Sequence, residues 1–269
     1  MLINSNAAYI PQLNALWKEA FGDNDEYINL FFEMVYDSSK TFAIFNEEKI
    51  VSALYLLDIN LFFEGELYKG FYLYAAATLE SQRGKGYMAS LIEEAKAFAE
   101  KNGYDFIALV PGEEGLYNYY KKFGFVTSMY KGSSVFNSWD KKAEYVSTEI
   151  KKRFEFEKEL SFNRLFWGEK ELEYAFECLN FFGCEEFICM NEGCAFINRS
   201  DNCVAELLCK EEDYSLLCNK VLSLFFGEDV EVFSPWGENK KDFGMMYPIN
   251  SDLKDCLQSD MIYMNLALD

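Results

Sequence analysis

The stretch Thr78–Ala95, TLESQRGKGYMASLIEEA, decides how the first half of the chain folds. Before it, Tyr68–Leu79 is a run of apolar and aromatic residues that reads as a long, mostly buried strand. Behind it, Met88–Asn102 sets Leu91, Ile92, Ala95, Phe98 and Ala99 on one face and closes on Asn102-Gly103, the pattern of an amphipathic helix with its stop. The loop between them, Arg83–Ala89, therefore lies where a strand hands over to a helix. Successive backbone N–H groups there lack intrahelical partners, and the helix dipole is positive, so the loop suits a diphosphate. Gly84 and Gly86 let the backbone turn tightly, and Arg83 and Lys85 add positive charge. A tight turn alone would also select glycines. The loop is no Walker motif, because no Gly-Lys-Ser/Thr follows, and no dinucleotide GxGxxG, because Ala89 holds the third glycine position.

Working outward, Ile10–Phe21 repeats Leu13, Leu16, Trp17 and Ala20 at helical spacing, and Glu26–Tyr36 forms a second helix with Ile28, Phe31, Phe32 and Val35 on one face. Thr41–Phe45 and Ile50–Leu57 read as a hairpin about Asn46-Glu47-Glu48, and Asn60–Phe63 as a further apolar segment. After the loop and its helix come a buried strand, Tyr104–Val110, a short helix, Leu116–Lys122, ending at Gly124, and a strand, Phe125–Tyr130. From Asn137 to Glu159 the chain turns polar, and its lysines and glutamates suit an exposed helix at a domain junction.

A second series then repeats the order: a helix over Glu169–Phe182, strands near Glu186–Met190, Cys194–Asn198 and Cys203–Cys209, a helix over Glu212–Phe226, and strands Val230–Phe233 and Ile262–Leu268. FAIFNEEKIVSALYLL, from Phe42, is echoed in FICMNEGCAFINRSDNCVAELL, from Phe187, which points to a duplication. The loop equivalent to Arg83–Ala89 is Lys210-Glu211-Glu212-Asp213, without glycine and with net negative charge, so it should hold no phosphate. One cofactor per chain is expected.

The 25 Lys and Arg against 45 Asp and Glu leave a formal charge of -20, which repels nucleic acid. An acidic surface either draws in a cationic acceptor, such as a polyamine or aminoglycoside, or simply keeps the protein soluble. All eight cysteines follow Phe176, none spaced as CxxC, and there is no histidine. They lie along strand-like segments, where buried free thiols in a reducing compartment are favoured over a zinc site; no metal is expected. The N-terminus lacks a basic n-region and an apolar h-region, and no apolar run approaches the ~20 residues that span a bilayer, so the expected location is the cytoplasm, with no membrane partner.

With Arg83 and Gly86 in place, the loop resembles the Gln/Arg-x-x-Gly-x-Gly/Ala signature of the GNAT superfamily of N-acetyltransferases. Met88 stands at the last Gly/Ala position, harmless if only its N–H is used. The RGKGYM form is similar to that of the enhanced-intracellular-survival acetyltransferases, which carry tandem GNAT domains. Tyr119–Phe125, YYKKFGF, resembles the family's Tyr-x-x-x-Gly-Phe, with Tyr120 at the usual catalytic position. The resemblance implies an α/β fold with a mixed sheet: a GNAT domain over 1–136, a linker or helix over 137–160, and a degenerate GNAT-like domain over 161–269.

It also implies acetyl-CoA as co-substrate. Ala76, Ala77, Thr78 and Leu79 would pair with the pantetheine arm, and Arg83, Gly84, Lys85, Gly86, Tyr87, Met88 and Ala89 would hold the pyrophosphate. Backbone donors near Thr78 and Leu79 would polarise the thioester carbonyl, and Tyr120 would protonate the departing thiolate. Without histidine, the base would come from Glu80, Glu113, Glu114 or the carboxylate at Asp269; Glu113 replaces an asparagine of the family and inherits no role. A small-molecule or peptide amine, possibly cationic, would enter between the first two helices past Phe21, Asp23, Asp25, Glu26 and Tyr27, carboxylates that serve equally as helix-cap residues. Two alternatives stay open: an acyl-CoA-sensing or partner-binding module without turnover, and a Fem-type aminoacyl transferase, which the charge opposes. The sequence does not define the oligomeric state.

Overall fold

The computed structural model describes residues 7–137, 150–184, 186–225, 229–257, 261–264 and 266–268. In chain order these form α1 (Ile10–Phe21), α2 (Asp25–Met34), β1 (Thr41–Asn46), β2 (Lys49–Phe63), β3 (Glu66–Thr78), α3 (Tyr87–Lys101), β4 (Phe106–Leu109), α4 (Glu114–Lys121) and β5 (Val126–Asn137). There follow α5 (Lys151–Glu157), β6 (Arg164–Trp167), α6 (Glu169–Phe181), β7 (Glu186–Met190), β8 (Gly193–Asn198), β9 (Cys203–Cys209), α7 (Tyr214–Leu222), β10 (Asp229–Phe233), β11 (Asn239–Pro248), α8 (Ser251–Cys256) and β12 (Ile262–Tyr263).

The expected order of helices and strands is present, with α8 as an additional helix and β5 running past the expected end at Tyr130 to Asn137; four further strands also differ. Ile50–Leu57 and Asn60–Phe63 are one fifteen-residue strand, β2, because Asp58 stays in the ladder opposite Phe71. The expected terminal strand over Ile262–Leu268 shortens to the two residues of β12. Two strands had not been anticipated: β6, which follows the polar segment, and β11, whose first half, NKKDF, is charged and solvent-facing.

β11 ties the halves together. Its end, Met245–Pro248, pairs antiparallel with β4, while Asn239–Met246 pairs with β5. β5 in turn reaches past β11, and its last residues, Ser133–Asn137, pair with β10. Each half thus receives a strand from the other. Through β12 and β6, which link β5 to β2, the hydrogen-bonded circuit β2-β3-β4-β11-β5-β12-β6 closes on itself, leaving no open edge there. The strands β10-β9-β8-β7 continue outward from β5.

One face of this sheet packs α1, α2 and α6 around Leu13, Trp17, Phe31, Tyr55, Tyr74 and Tyr174; the other packs α3 and α4 around Phe71, Leu91, Ile92 and Phe125. Tyr74 Oη and Tyr174 Oη lie 3.0 Å apart, a polar contact between the halves deep in the core.

The helix expected to be exposed at the junction is exposed on one face only, through Lys151, Lys152 and Glu155. Residues 138–149 lie outside the described residues, but on α5 both Arg153 and Glu157 are under cover, joined by Arg164 of β6 and Glu206 of β9. Arg153 Nε and Nη2 donate to Glu206 Oε2 at 2.9 and 2.7 Å, and Arg153 Nη1 donates to Glu157. Arg164 Nε donates to Glu157 Oε1 at 2.8 Å. Lysine-glutamate spacing is the same for a solvated face and a buried ion network; only the partners on β6 and β9 distinguish them. Burial raises the carboxyl pKa of Glu206, and Arg153 opposes that rise.

The expectation of free thiols holds for Cys178, Cys184, Cys203, Cys209 and Cys218, but Cys189 and Cys194 are joined as a disulfide. The β7–β8 hairpin register sets these two directly opposite each other with Cα atoms 4.1 Å apart, which sequence spacing alone does not reveal.

Removing one partner from the ion network leaves buried charge uncompensated. Arg153→Ala should destabilise the fold by about 3–5 kcal/mol, and Arg153→Lys should recover part of that, as read from urea unfolding midpoints.

Candidate functional site

β3 and β4 run side by side for only three residues, Gly70–Tyr72 against Phe106–Ala108, and then diverge. The opening contains a cleft of about 520 Å³. Its walls are β3 from Tyr72 to Ala76, the end of β4 and the following turn from Leu109 to Gly112, α4 through Leu116, Tyr117 and Tyr120, and α1 with the residues after it through Trp17, Phe21, Asp23 and Tyr27. The second half contributes Phe243 of β11 and Leu268. Trp167 Nε1 donates to the Leu266 carbonyl at 2.7 Å, holding the segment that carries Leu268 against the core.

A bulge shapes the β3 wall. The β2–β3 register slips between Ala53 and Tyr55, and Ala75 adopts φ +44°, which a non-glycine residue rarely holds. Such a bulge takes local backbone groups out of the ladder, and Ala75 and Ala76 both line the cleft. Beyond it the ladder resumes. Leu79 N–H donates to Val51 O at 3.0 Å, so the expected use of this N–H to polarise a carbonyl conflicts with the structure. Antiparallel alternation turns Ala77 toward β2 and the Thr78 backbone away from it. The Thr78 carbonyl accepts from Arg83 Nε at 3.2 Å.

The loop follows directly. A 3-10 turn at Glu80–Gln82 leads into Arg83, and Gly84 and Gly86 take φ of +78° and +80°, with Gly86 as the N-cap of α3. Ser90 N is the first N–H to return to this cap, donating to Gly86 O at 3.0 Å. The amides of Tyr87, Met88 and Ala89 thus fall in the first turn of α3, where no intrahelical acceptor exists. Lys85 Nζ donates to Gln82 Oε1 at 2.7 Å and is exposed, as are Arg83, Gly84 and Gly86. Nothing lies within 4 Å of a Cβ built on Gly84 or Gly86, so their conformation and not crowding selects glycine. The cleft and this loop adjoin along β3, a layout that fits an acyl-pantetheine arm running to a diphosphate.

In the second half the comparable turn is a 3-10 element, Glu211–Asp213, acidic throughout, and the carbonyl of Cys209 at the end of β9 is occupied by Trp236 Nε1 at 3.0 Å. No anion cradle forms at that turn.

Tyr120 is buried, with its ring 5.4 Å from Tyr119 and 5.7 Å from Phe125. Burial, with a smaller contribution from Tyr119, pushes its phenol up to about 12, so the proton stays on at neutral pH. Tyr27 and Tyr74 are likewise raised by burial.

The acidic residues separate sharply. Glu80, Glu113 and Glu114 are exposed and do not line the cleft, and Asp269 lies outside the described residues. Asp25 pairs with Lys18 at 2.6 Å, and Glu26 sits exposed in the first turn of α2, whose N-cap is Asn24. Among the described residues Asp23 is the one charged side chain lining the cleft. Its position has a local cause: Gly22 ends α1 with φ +79°, its N–H returning to Lys18 O, and the reversed chain brings Asp23 over Trp17. Trp17 Nε1 donates to Asp23 Oδ2 at 2.7 Å.

Of the residues expected at an acceptor mouth, Phe21, Asp23 and Tyr27 line the cleft, and Asp25 and Glu26 do not. Sequence reasoning did not find the Ala75 bulge, although three consecutive alanines hint at a backbone meant to be approached. Nor could it find Phe243 and Leu268, which arrive from distant sequence. No group of three or more His, Cys, Asp or Glu side chains that could hold a metal occurs among the described residues, and no described helix is long and apolar enough to cross a membrane.

A family model described as an acetyltransferase (GNAT) domain matches residues 2–127. No curated protein matches the sequence. Similar solved structures include a GCN5-related N-acetyltransferase from Kribbella flavida, at 14% identity and TM-score 0.72 over 93% of this chain and 72% of that one. Eis1 from Mycobacterium abscessus aligns at 9% identity and TM-score 0.74 over 94% and 74%. A probable N-acyltransferase from Enterococcus faecalis V583 aligns at 11% and 0.68 over 91% and 71%. At these identities the likeness is one of fold, and it extends through both halves.

The loop geometry makes a direct test available. Gly86→Glu should weaken CoA binding by at least about tenfold in titration calorimetry, since it sets a carboxylate against the diphosphate, while costing the fold only about 1–3 kcal/mol for its positive φ.

Proposed function

We propose, from the match of residues 2–127 to a GNAT acetyltransferase domain model, that this protein is an N-acetyltransferase that moves an acetyl group from acetyl-CoA to an amine bound beside Asp23. The observation that carries this reading is the shared cleft: the bulged Ala75–Ala76 backbone, the Tyr120 phenol and the Asp23 carboxylate all line it, next to a glycine loop built for a diphosphate.

The Arg83–Ala89 loop and the first turn of α3 hold the pyrophosphate, and β3 beyond its bulge guides the pantetheine arm toward Tyr120. The backbone released by the bulge, rather than Leu79, supplies the donor for the thioester oxygen. The amine nitrogen bonds to the acetyl carbon and the C–S bond breaks. The bound ammonium first gives one proton to solvent through Asp23; once the freed amine attacks, the Tyr120 proton goes to the departing sulfur, and the second proton shed by the nitrogen passes to Asp23, directly or through water. Transfer from Asp23 through solvent then restores the phenol. The base role goes to Asp23 in preference to the expected Glu80, Glu113, Glu114 or Asp269 because, among the described residues, Asp23 is the carboxylate that lines the cleft.

Tyr120→Phe should lower kcat about 10²-fold with CoA affinity changed less than about twofold, measured by thiol release and calorimetry. An unchanged kcat on an accepted amine would remove the acid role. The pH profile offers a second check. A phenol raised to about 12 keeps its proton below that pH, so the wild-type rate should show no alkaline fall due to Tyr120 up to about pH 10.

A further inference from the structure

The chain is strongly acidic overall, yet the cleft is not. Among the described residues, Asp23 alone carries charge on its walls, and one Asp23 oxygen already accepts from Trp17. Aromatic side chains line the same cleft beside it: Trp17, Phe21, Tyr27 and Tyr74. Trp17 is locked in place, with its ring centroid 5.4 Å from that of Tyr74, 5.1 Å from Phe31 and 6.0 Å from Phe21. A second cavity of about 310 Å³ shares Tyr27 and Leu268 with the cleft. It is lined by apolar groups such as Leu179, Phe182 and Leu266, and its only charged described side chain is Lys131, a cation.

Resting on the acetyltransferase reading, we infer that the acceptor is a small monoamine: one ammonium group on an aromatic or aliphatic body. Aromatic faces and one carboxylate stabilise a single cation well. A second or third ammonium would lose its hydration among aromatic and aliphatic walls with no further carboxylate to receive it, or would meet Lys131. Polyamines and aminoglycosides, which the net charge of -20 would attract at long range, are therefore rejected at the site itself. The cleft must also admit the acyl end of the co-substrate, and its volume of about 520 Å³ leaves space for a compact acceptor. The apolar body lies against Phe21 and Tyr27 and points toward the second cavity.

The test uses the full chain with acetyl-CoA, reading thiol release with 2-phenylethylamine, methylamine, spermidine and kanamycin. The expected kcat/KM for 2-phenylethylamine exceeds each of the others by about tenfold or more, equal to about 1.4 kcal/mol. Asp23→Asn should raise its KM at least about tenfold while leaving the CoA Kd within twofold. Spermidine or kanamycin used as well as 2-phenylethylamine, or methylamine equalling it, would overturn the inference. If no amine is turned over, calorimetry on the CoA-saturated protein decides: 2-phenylethylamine binding that spermidine does not match supports the inference, and absence of such binding overturns it. Failure of CoA itself to bind would overturn the acetyltransferase reading, whereas CoA binding with polycations preferred would overturn the monoamine inference alone.

Discussion

The structure depends on a pairing that stops early. β3 and β4 share three residues of parallel ladder and then separate, and the cleft occupies the resulting wedge. Unpaired backbone inside a protein is costly unless something satisfies it, so such a wedge persists only where the flanking strands are held independently. β3 is held by its long ladder with β2, and β4 by β11 on its other side. The Ala75 bulge belongs to the same arrangement: a strand anchored on both sides of one irregular residue can keep that residue at positive φ.

That dependence explains why the two halves cannot be treated as beads on a string. The strand supporting β4 comes from the second half, and the strand beside β10 comes from the first. One buried polar contact reinforces the exchange, the Tyr74–Tyr174 hydroxyl pair, while the Arg153–Glu157–Arg164–Glu206 network ties α5, β6 and β9 to one another. Charged groups fully under cover are weak sources of net stability, but they penalise any other arrangement of the elements that bring them together. The second half also completes the walls of the cleft through Phe243 and Leu268 while forming no anion cradle of its own at Glu211–Asp213. The second half thus supplies walls to a cleft whose glycine loop lies in the first.

Charge shows the same contrast between global and local properties. A net charge of -20 describes the surface and the long-range field. Among the described residues, the charged side chains lining the cleft fall to one carboxylate, beside aromatic rings.

By itself the sequence determined what is local. The glycine loop, the helix after it, the Tyr120 helix ending at Gly124, and most strands and helices of both halves follow from periodicity, caps and turn chemistry acting over a few residues. It also supplied Phe21, Asp23 and Tyr27 as neighbours of one another, because a helix stop and a helix start lie between them. Only the tertiary structure decided what depends on partners far along the chain. β11 carries a charged half that looks like loop until β5 is beside it, Arg153 and Glu157 look solvated until β6 and β9 cover them, and Cys189 and Cys194 meet only through hairpin register. Among six acidic candidates near the loop and the first two helices, local pattern could not separate Asp23 from Asp25, Glu26, Glu80, Glu113 and Glu114. The separation is which of them lines the cleft, and the walls of that cleft come from β3, β4, α4 and β11 as well as α1, so it is a property of the assembled fold.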